Sequence, residues 1–216
     1  MHDPYLYEDS DVLKNKYGIK DKEMLDRVEV DVSTNAINEM LKSPILGNFD
    51  FQHLCAYHEK IFSEIYEWAG ISRIIAMEKA EHVLGYMSIE YSRPENIKKD
   101  VTSVLDKMNT INWEDLSLED QAIKLSENLS DLWKVHPFRD GNTRTTVTFV
   151  CDFARSRDMI LDQGLFARNA AYTRNALVAA TAIFPDGDFR KPEHLQKIVR
   201  DSLERGKTKR KENQQH

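Results

Sequence analysis

Apolar residues recur at helical spacing along most of the 216-residue chain. Over residues 21–41, Leu25, Val28, Ile37 and Leu41 allow a helix, which the β-branched Val30 and Val32 weaken. Ser43-Pro44 and Gly47-Asn48 then mark a loop. Asp50 is an N-cap candidate for the next helix, where Phe51, Leu54, His58, Ile61, Phe62 and Ile65 predict one buried face. That helix is expected to stop at Trp68-Ala69-Gly70, with Gly70 as its cap. The period changes across residues 71–91. Ile74-Ile75 and residues 86–91 have strand character around a polar stretch at 78–82, in which His82 reads as an exposed loop residue.

Ser92 before Pro94 and Glu95 opens another helix, with Ile97, Val101, Val104, Leu105 and Met108 as its stripe. Ser117-Leu118-Glu119-Asp120 resembles a capping arrangement for a helix reaching about residue 135, with Ile123, Leu129 and Leu132 inward. A helix over 142–157 places Val147, Val150, Cys151 and Ala154 on one face. Two more are predicted at 163–183 and 192–204, separated by Pro185-Asp186-Gly187-Asp188. The expectation is an all-α or nearly all-α domain over residues 21–204, with one β-hairpin. Residues 1–20, with Pro4 and little period, read as an arm on its surface, and 205–216 as a charged tail.

Composition narrows the class. Apolar residues are 41% and charged residues 31%, the balance of a soluble globular protein. No apolar run approaches the ~20 residues of a membrane span, and the N-terminus does not read as a signal peptide, so a cytoplasmic protein without a membrane partner is expected. A net charge of −6 argues against broad nucleic-acid binding. Cys55 and Cys151 both fall in apolar helical contexts and read as small buried hydrophobes.

Candidate chemistry is concentrated in His136-Pro137-Phe138-Arg139-Asp140-Gly141-Asn142-Thr143-Arg144. A neutral imidazole at His136 can take a proton from a hydroxyl near pH 7. Asp140, a hard oxygen ligand, suits Mg²⁺ carried in by a nucleotide. Gly141 permits a tight turn, so that the amides of Asn142, Thr143 and Arg144 open a helix and bind phosphate oxygens. Arg144 adds a fork of donors for the same anion. A base, a metal ligand, an anion nest and an arginine are what in-line phosphoryl or nucleotidyl transfer needs. The plainer reading is a capped helix end followed by an ordinary Asp-Gly-Asn turn.

These nine residues resemble the signature of the Fic family, His-x-Phe-x-(Asp/Glu)-Gly-Asn-x-Arg, and residues 66–70 are similar to its Tyr-x-Trp-Ala-Gly segment. The resemblance implies a helical bundle and AMP transfer from ATP to a Ser, Thr or Tyr hydroxyl of a protein. It implies His136 as base, Asp140 as Mg²⁺ ligand, and Gly141, Asn142, Thr143 and Arg144 as phosphate binders. Residues 71–91 would be the flap that pins the target by strand addition, and an antitoxin-like chain is a further partner type. Val147 stands where the fuller motif carries a second arginine, and the nest residue that is commonly Gly is Thr143. Residues 34–39 match the frame of the family's inhibitory motif but put Asn38 where its glutamate belongs. A Doc-like protein kinase and an interaction domain with weakened catalysis stay open as alternatives, although the Doc branch lacks the Gly-Asn pair present in this chain.

Overall fold

The computed structural model describes residues 3–213, with side chains through residue 208. Its eight α-helices are α1 (Lys22–Lys42), α2 (Phe51–Phe62), α3 (Ile97–Thr110), α4 (Leu118–Val135), α5 (Asn142–Ser156), α6 (Gln163–Arg168), α7 (Ala170–Ala180) and α8 (Glu193–Asn213). Two short antiparallel strands, β1 (Ile183–Phe184) and β2 (Gly187–Asp188), form the one sheet among the described residues. The all-α expectation therefore holds. α4 is the central element: it packs against α3, α5, α7 and α8, and Leu125, Leu129, Leu132 and Trp133 are buried along it.

The helix starts follow from their caps. Asp21 accepts from the Met24 amide at 2.7 Å, Asp50 from the His53 amide at 2.8 Å, and Ser117 from the Asp120 amide at 3.1 Å. Each satisfies an amide that has no carbonyl one turn earlier. Stops were harder to place. α2 ends at Phe62 rather than near Gly70, because residues 63–70 tighten into turns, with the amides of Ile65 and Tyr66 both donating to the Phe62 carbonyl. The helix expected over 163–183 breaks at Asn169, whose side-chain amide donates back to the Leu165 carbonyl at 2.8 Å and so competes with the helical ladder. The last helix runs on to Asn213, well past residue 204, and residues 214–216 of the expected tail lie outside the described residues. Cys151 is buried and Cys55 half-buried, both as free thiols.

Two further expectations change. Residues 71–91 form no ladder. Over residues 75–82 there is no partner strand, yet burial alternates residue by residue as on a strand, until a 3₁₀ turn starts at His82. The excursion is closed instead by the Glu81 amide donating to the Met87 carbonyl at 3.1 Å and the Lys79 amide to the Ser88 hydroxyl at 3.0 Å. The ladder hairpin lies at 183–188, turning through Pro185-Asp186, with proline preset for the turn. The N-terminal arm is also more than a surface strap. Tyr5, Val12 and Leu13 belong to the core, Leu6 and Leu13 pair in a bridge, and Tyr5 meets Trp68 edge-on at 5.5 Å.

Removal of residues 1–20 is therefore expected to destabilise the domain. Three buried apolar side chains at ~1.5–3 kcal/mol each amount to a loss of about 5 kcal/mol or more. For a chain of this size that corresponds to a melting temperature lower by roughly 10 °C or more. Thermal denaturation of the truncated chain checks this, and an unchanged midpoint would make the arm a separable appendage.

Candidate active site

The nine-residue stretch bridges the end of α4 and the start of α5, and the structure gathers all the predicted site residues there. His136 is the C-cap of α4 in the left-handed conformation, φ +53°, and is 2% exposed. Its ring stacks on Tyr91 at 4.2 Å and meets Trp133 edge-on at 5.3 Å. Nδ1 faces the Trp133 carbonyl at 3.3 Å, so it carries the proton, and Nε2 is left without a partner among the described residues. Burial first, then the charges of Lys79, Arg73 and Arg174, push the imidazole well below its ordinary pKa, against the pull of the Trp133 carbonyl. The result is a neutral base with its lone pair available.

Arg73 fixes that geometry. Its guanidinium, 1% exposed, donates to the carbonyls of His136 at 2.8 Å, Ile75 at 2.7 Å and Val135 at 3.4 Å, and also to that of Ser92. The Arg73 amide reaches the Pro137 carbonyl at 2.9 Å. A cation thus sits at the negative end of α4 and ties it to both ends of the 71–91 excursion.

The turn into α5 is built from contacts that exclude most alternatives. Gly141 has φ +74°, and a Cβ there would meet the Phe62 ring at 2.3 Å, so only glycine fits. Asn142 spends its side chain on the loop itself: Oδ1 accepts from the Phe138 amide at 2.9 Å and Nδ2 donates to the Phe138 carbonyl at 2.8 Å. Phe138 is fully buried, stacked on His58 at 3.9 Å. His58 accepts from the Gly70 amide at Nδ1, 2.8 Å, and bonds the Asp140 carbonyl through Nε2 at 3.1 Å. Burial lowers the His58 pKa to about 3. The Thr143 hydroxyl accepts from Trp133 Nε1 at 2.9 Å. The backbone amides at the head of α5 remain to meet an anion.

Asp140 directs Oδ1 at the Gly141 amide, 2.6 Å away. Burial opposes its charge, but Lys79, that amide, Arg144 and Arg139 outweigh it and hold the carboxyl below the usual range. No cluster of three or more His, Cys, Asp or Glu able to hold a metal occurs among the described residues, and Asp140 is the carboxylate of the signature loop that lines the groove. Arg144 is not idle: it bonds the Ser33 hydroxyl at 2.9 Å, pairs with Glu29 of α1, and lies over the Phe62 ring at 4.8 Å. Glu29 also accepts from the Tyr66 hydroxyl. Arg139 pairs with Asp3 of the arm at 2.8 Å.

Together these residues line a groove of about 550 Å³ that holds Lys79, His136, Asp140, Gly141, Asn142, Thr143, Arg144 and Arg174. Beside it, Asn38 and Val147 are both among the residues that line a smaller cavity of about 170 Å³. Sequence reasoning missed Arg73, Lys79, Tyr91 and Arg174, and took His58 only for a core position. A lone arginine three residues after Gly70 and next to Ile74-Ile75 was the available signal for Arg73.

A helical domain with a base and an anion nest gathered at one helix junction defines a narrow class. A profile of the Fic/DOC family matches residues 48–154. The chain is 31% identical over 165 residues to the probable protein adenylyltransferase y4lH of Sinorhizobium fredii, covering 76% of this chain and 81% of that one. This chain belongs to the Fic/DOC family. It is 30% identical over 161 residues to protein adenylyltransferase VbhT of Bartonella schoenbuchensis, covering 74% of this chain but about a third, 32%, of that protein. Among solved structures, the fold matches BepC of Bartonella tribocorum, a VirB-translocated effector with bound AMPPNP, at a TM-score of 0.77. The match has 24% identity and covers 92% of this chain and 95% of that one.

Two of the buried histidines, His58 and His136, make stability depend on pH. Both stay neutral in the folded chain, whereas their ordinary value is 6.5. As pH falls below 6.5 the unfolded chain takes up protons that the folded chain refuses, so stability drops. For His58 the drop continues down to about 3. Each such group contributes a slope of up to ~1.4 kcal/mol per pH unit. Urea unfolding between pH 7.5 and 5 is expected to show it. His58→Gln, whose amide can still donate to the Asp140 carbonyl, is expected to flatten the slope by about one such increment. An identical slope in the variant would show that His58 takes no part.

Proposed function

We propose that this chain is a protein adenylyltransferase that moves AMP from ATP to a Ser, Thr or Tyr hydroxyl of a target protein and of itself. The observation that carries this reading is Nε2 of His136, a buried imidazole nitrogen with no protein partner in a groove walled by an anion-binding helix start. The names of the relatives VbhT and y4lH, and the nucleotide analogue bound to BepC, point the same way.

The roles follow from the positions. His136 takes the hydroxyl proton at Nε2, while Nδ1 stays bonded to the Trp133 carbonyl and fixes the tautomer. The head of α5, at Asn142, Thr143 and Arg144, holds phosphate oxygens through its free amides, with Gly141 keeping the approach open. Arg144 adds charge from the side of α1. A carboxylate whose pKa is held below the usual range fits Mg²⁺, which prefers one or two protein oxygens together with nucleotide phosphates. Asp140 would hold the ion, which would neutralise phosphate charge as the bond to pyrophosphate breaks. The backbone at 76–80, which belongs to no sheet, with Ile74, Tyr86 and Met87 exposed nearby, is a surface to which a target segment could add as a strand.

Purified chain, Mg²⁺ and ATP labelled at the α or the γ position, with and without cell lysate, test the reading. Label from the α position is expected, label from γ alone would mean phosphorylation, and no label would leave a binding domain. His136→Ala should lose ~10²–10⁴ in rate. It should also melt a few degrees lower, because the imidazole fills the space between Tyr91 and Trp133. Full labelling by that variant would overturn the assignment of the base. Asp140→Ala should lose the Mg²⁺ dependence of ATP binding in calorimetry, and unaltered affinity would reduce Asp140 to a turn residue.

A further inference from the structure

Along the extended segment, Ile75, Met77, Lys79 and Glu81 turn toward the body of the protein, while Ala76, Glu78, Ala80 and His82 turn outward. The inward direction is latched at Glu81. Its carboxylate, buried, takes two bonds from Arg174 of α7, at 2.9 and 3.1 Å, and one from the Tyr91 hydroxyl at 3.3 Å. The latch leaves Lys79, two residues earlier, aimed at the junction of α4 and α5. Its half-buried side chain lines the groove beside His136 and Asp140, and also lines the small cavity on the other side of Asp140.

Three cations line this groove, and two are already bound to carboxylates: Arg144 to Glu29, and Arg174 to Glu81. Lys79 makes neither an ion pair nor a side-chain hydrogen bond among the described residues. Yet it shares the groove wall with His136 and Asp140, and of the charges around them its own acts most strongly on both. Burial lowers its own pKa, against the pull of the Asp140 and Glu81 carboxylates. An anion arriving between base and nest would give the ammonium the hydrogen-bond partner that it lacks among the described residues. The phosphorus under attack must lie there, because the attacking hydroxyl has to reach Nε2 of His136.

We propose that Lys79 is a further catalytic residue, whose ammonium touches a non-bridging oxygen of the α-phosphoryl group during AMP transfer. The inference rests on the adenylyltransferase reading above. The target oxygen bonds to the α-phosphorus as its proton passes to His136 Nε2. The bond from the α-phosphorus to the bridging oxygen breaks, and pyrophosphate leaves with that electron pair. Lys79 meets charge that gathers on the α-phosphoryl oxygens in the transition state, so its weight falls on the rate rather than on ATP binding. It also gives the site an uncommitted cation in a chain that carries Val147 one turn along α5 from Arg144.

Lys79→Met keeps the stem and removes the charge, and Lys79→Arg restores a charge with different reach. Transfer from α-labelled ATP is measured for wild type, both variants and His136→Ala, on the chain itself and in cell lysate, with Mg²⁺–ATP binding and melting temperature alongside. Lys79→Met is expected to lower the rate at saturating ATP by ~10²-fold or more. Its ATP dissociation constant should stay within about threefold and its melting temperature nearly unchanged, and Lys79→Arg should regain part of the rate. A Lys79→Met rate within about threefold of wild type overturns the inference and leaves the adenylyltransferase reading standing. A rate that recovers fully once ATP is raised to saturation also overturns it, because Lys79 would then serve binding alone. Wild type that fails to label at all overturns the reading, and the inference with it.

Discussion

Arg73 carries its charge into the interior, and the structure shows its donors bonded to carbonyls rather than to a carboxylate. Such a group is expensive to bury unless its donors are satisfied, and this one is satisfied only while four separate pieces of chain hold their places. The end of α4, the His136 turn and both ends of the 71–91 excursion are those pieces. The same bonds brace His136 in its left-handed conformation, φ +53°, which is uncommon for a residue with a Cβ. The direction of Nε2 is therefore a tertiary property. It depends on a residue 63 positions away along the chain.

On the other side of the junction the constraint is steric. Phe62 leaves no room for a Cβ at residue 141, His58 holds the Asp140 carbonyl, and the Asn142 amide closes a ring with the Phe138 backbone. Most of the polar side chains in the signature stretch thus serve the loop's shape. What they leave free is a row of backbone amides at the head of α5, whose position cannot drift with side-chain rotamers. A preorganised nest of this kind loses little on meeting a phosphate, which suits a reaction that is mostly positioning and electrostatics.

Helix starts were legible in the sequence because caps are local: Asp21, Asp50 and Ser117 each bond an amide within three residues. Helix ends were less so. The stop at Phe62 and the break at Asn169 depend on where the backbone goes next, and periodicity carries no mark of that. The site residues were legible as a cluster, since the loop brings them together by itself. Their supports were not, because Arg73, Tyr91, Lys79 and Arg174 reach the loop from distant segments. The strand character of 71–91 was half right: the alternation is present at 75–82, but a strand needs a partner, and no described segment of the chain supplies one. For the same reason the arm looked like a surface strap, although Tyr5, Val12 and Leu13 find their partners only in the folded core.

The relation of α1 to the nest brings these threads together. Asn38 and Val147, an amide and an isopropyl group, line the same small cavity, and neither brings a charge to it. Nine residues earlier on the same helix, Glu29 has taken the remaining arginine, and Tyr66 and Ser33 complete the cluster. The chain therefore keeps α1 electrostatically tied to α5, but at Arg144 beside the catalytic groove. Arg144 has five donors in a fixed fork, so a carboxylate on one edge does not exhaust it. Glu29 also orients the guanidinium and limits how strongly it attracts phosphate. The balance of charge at the junction then falls to the flexible ammonium of Lys79, held in position by the latch between Glu81 and Arg174.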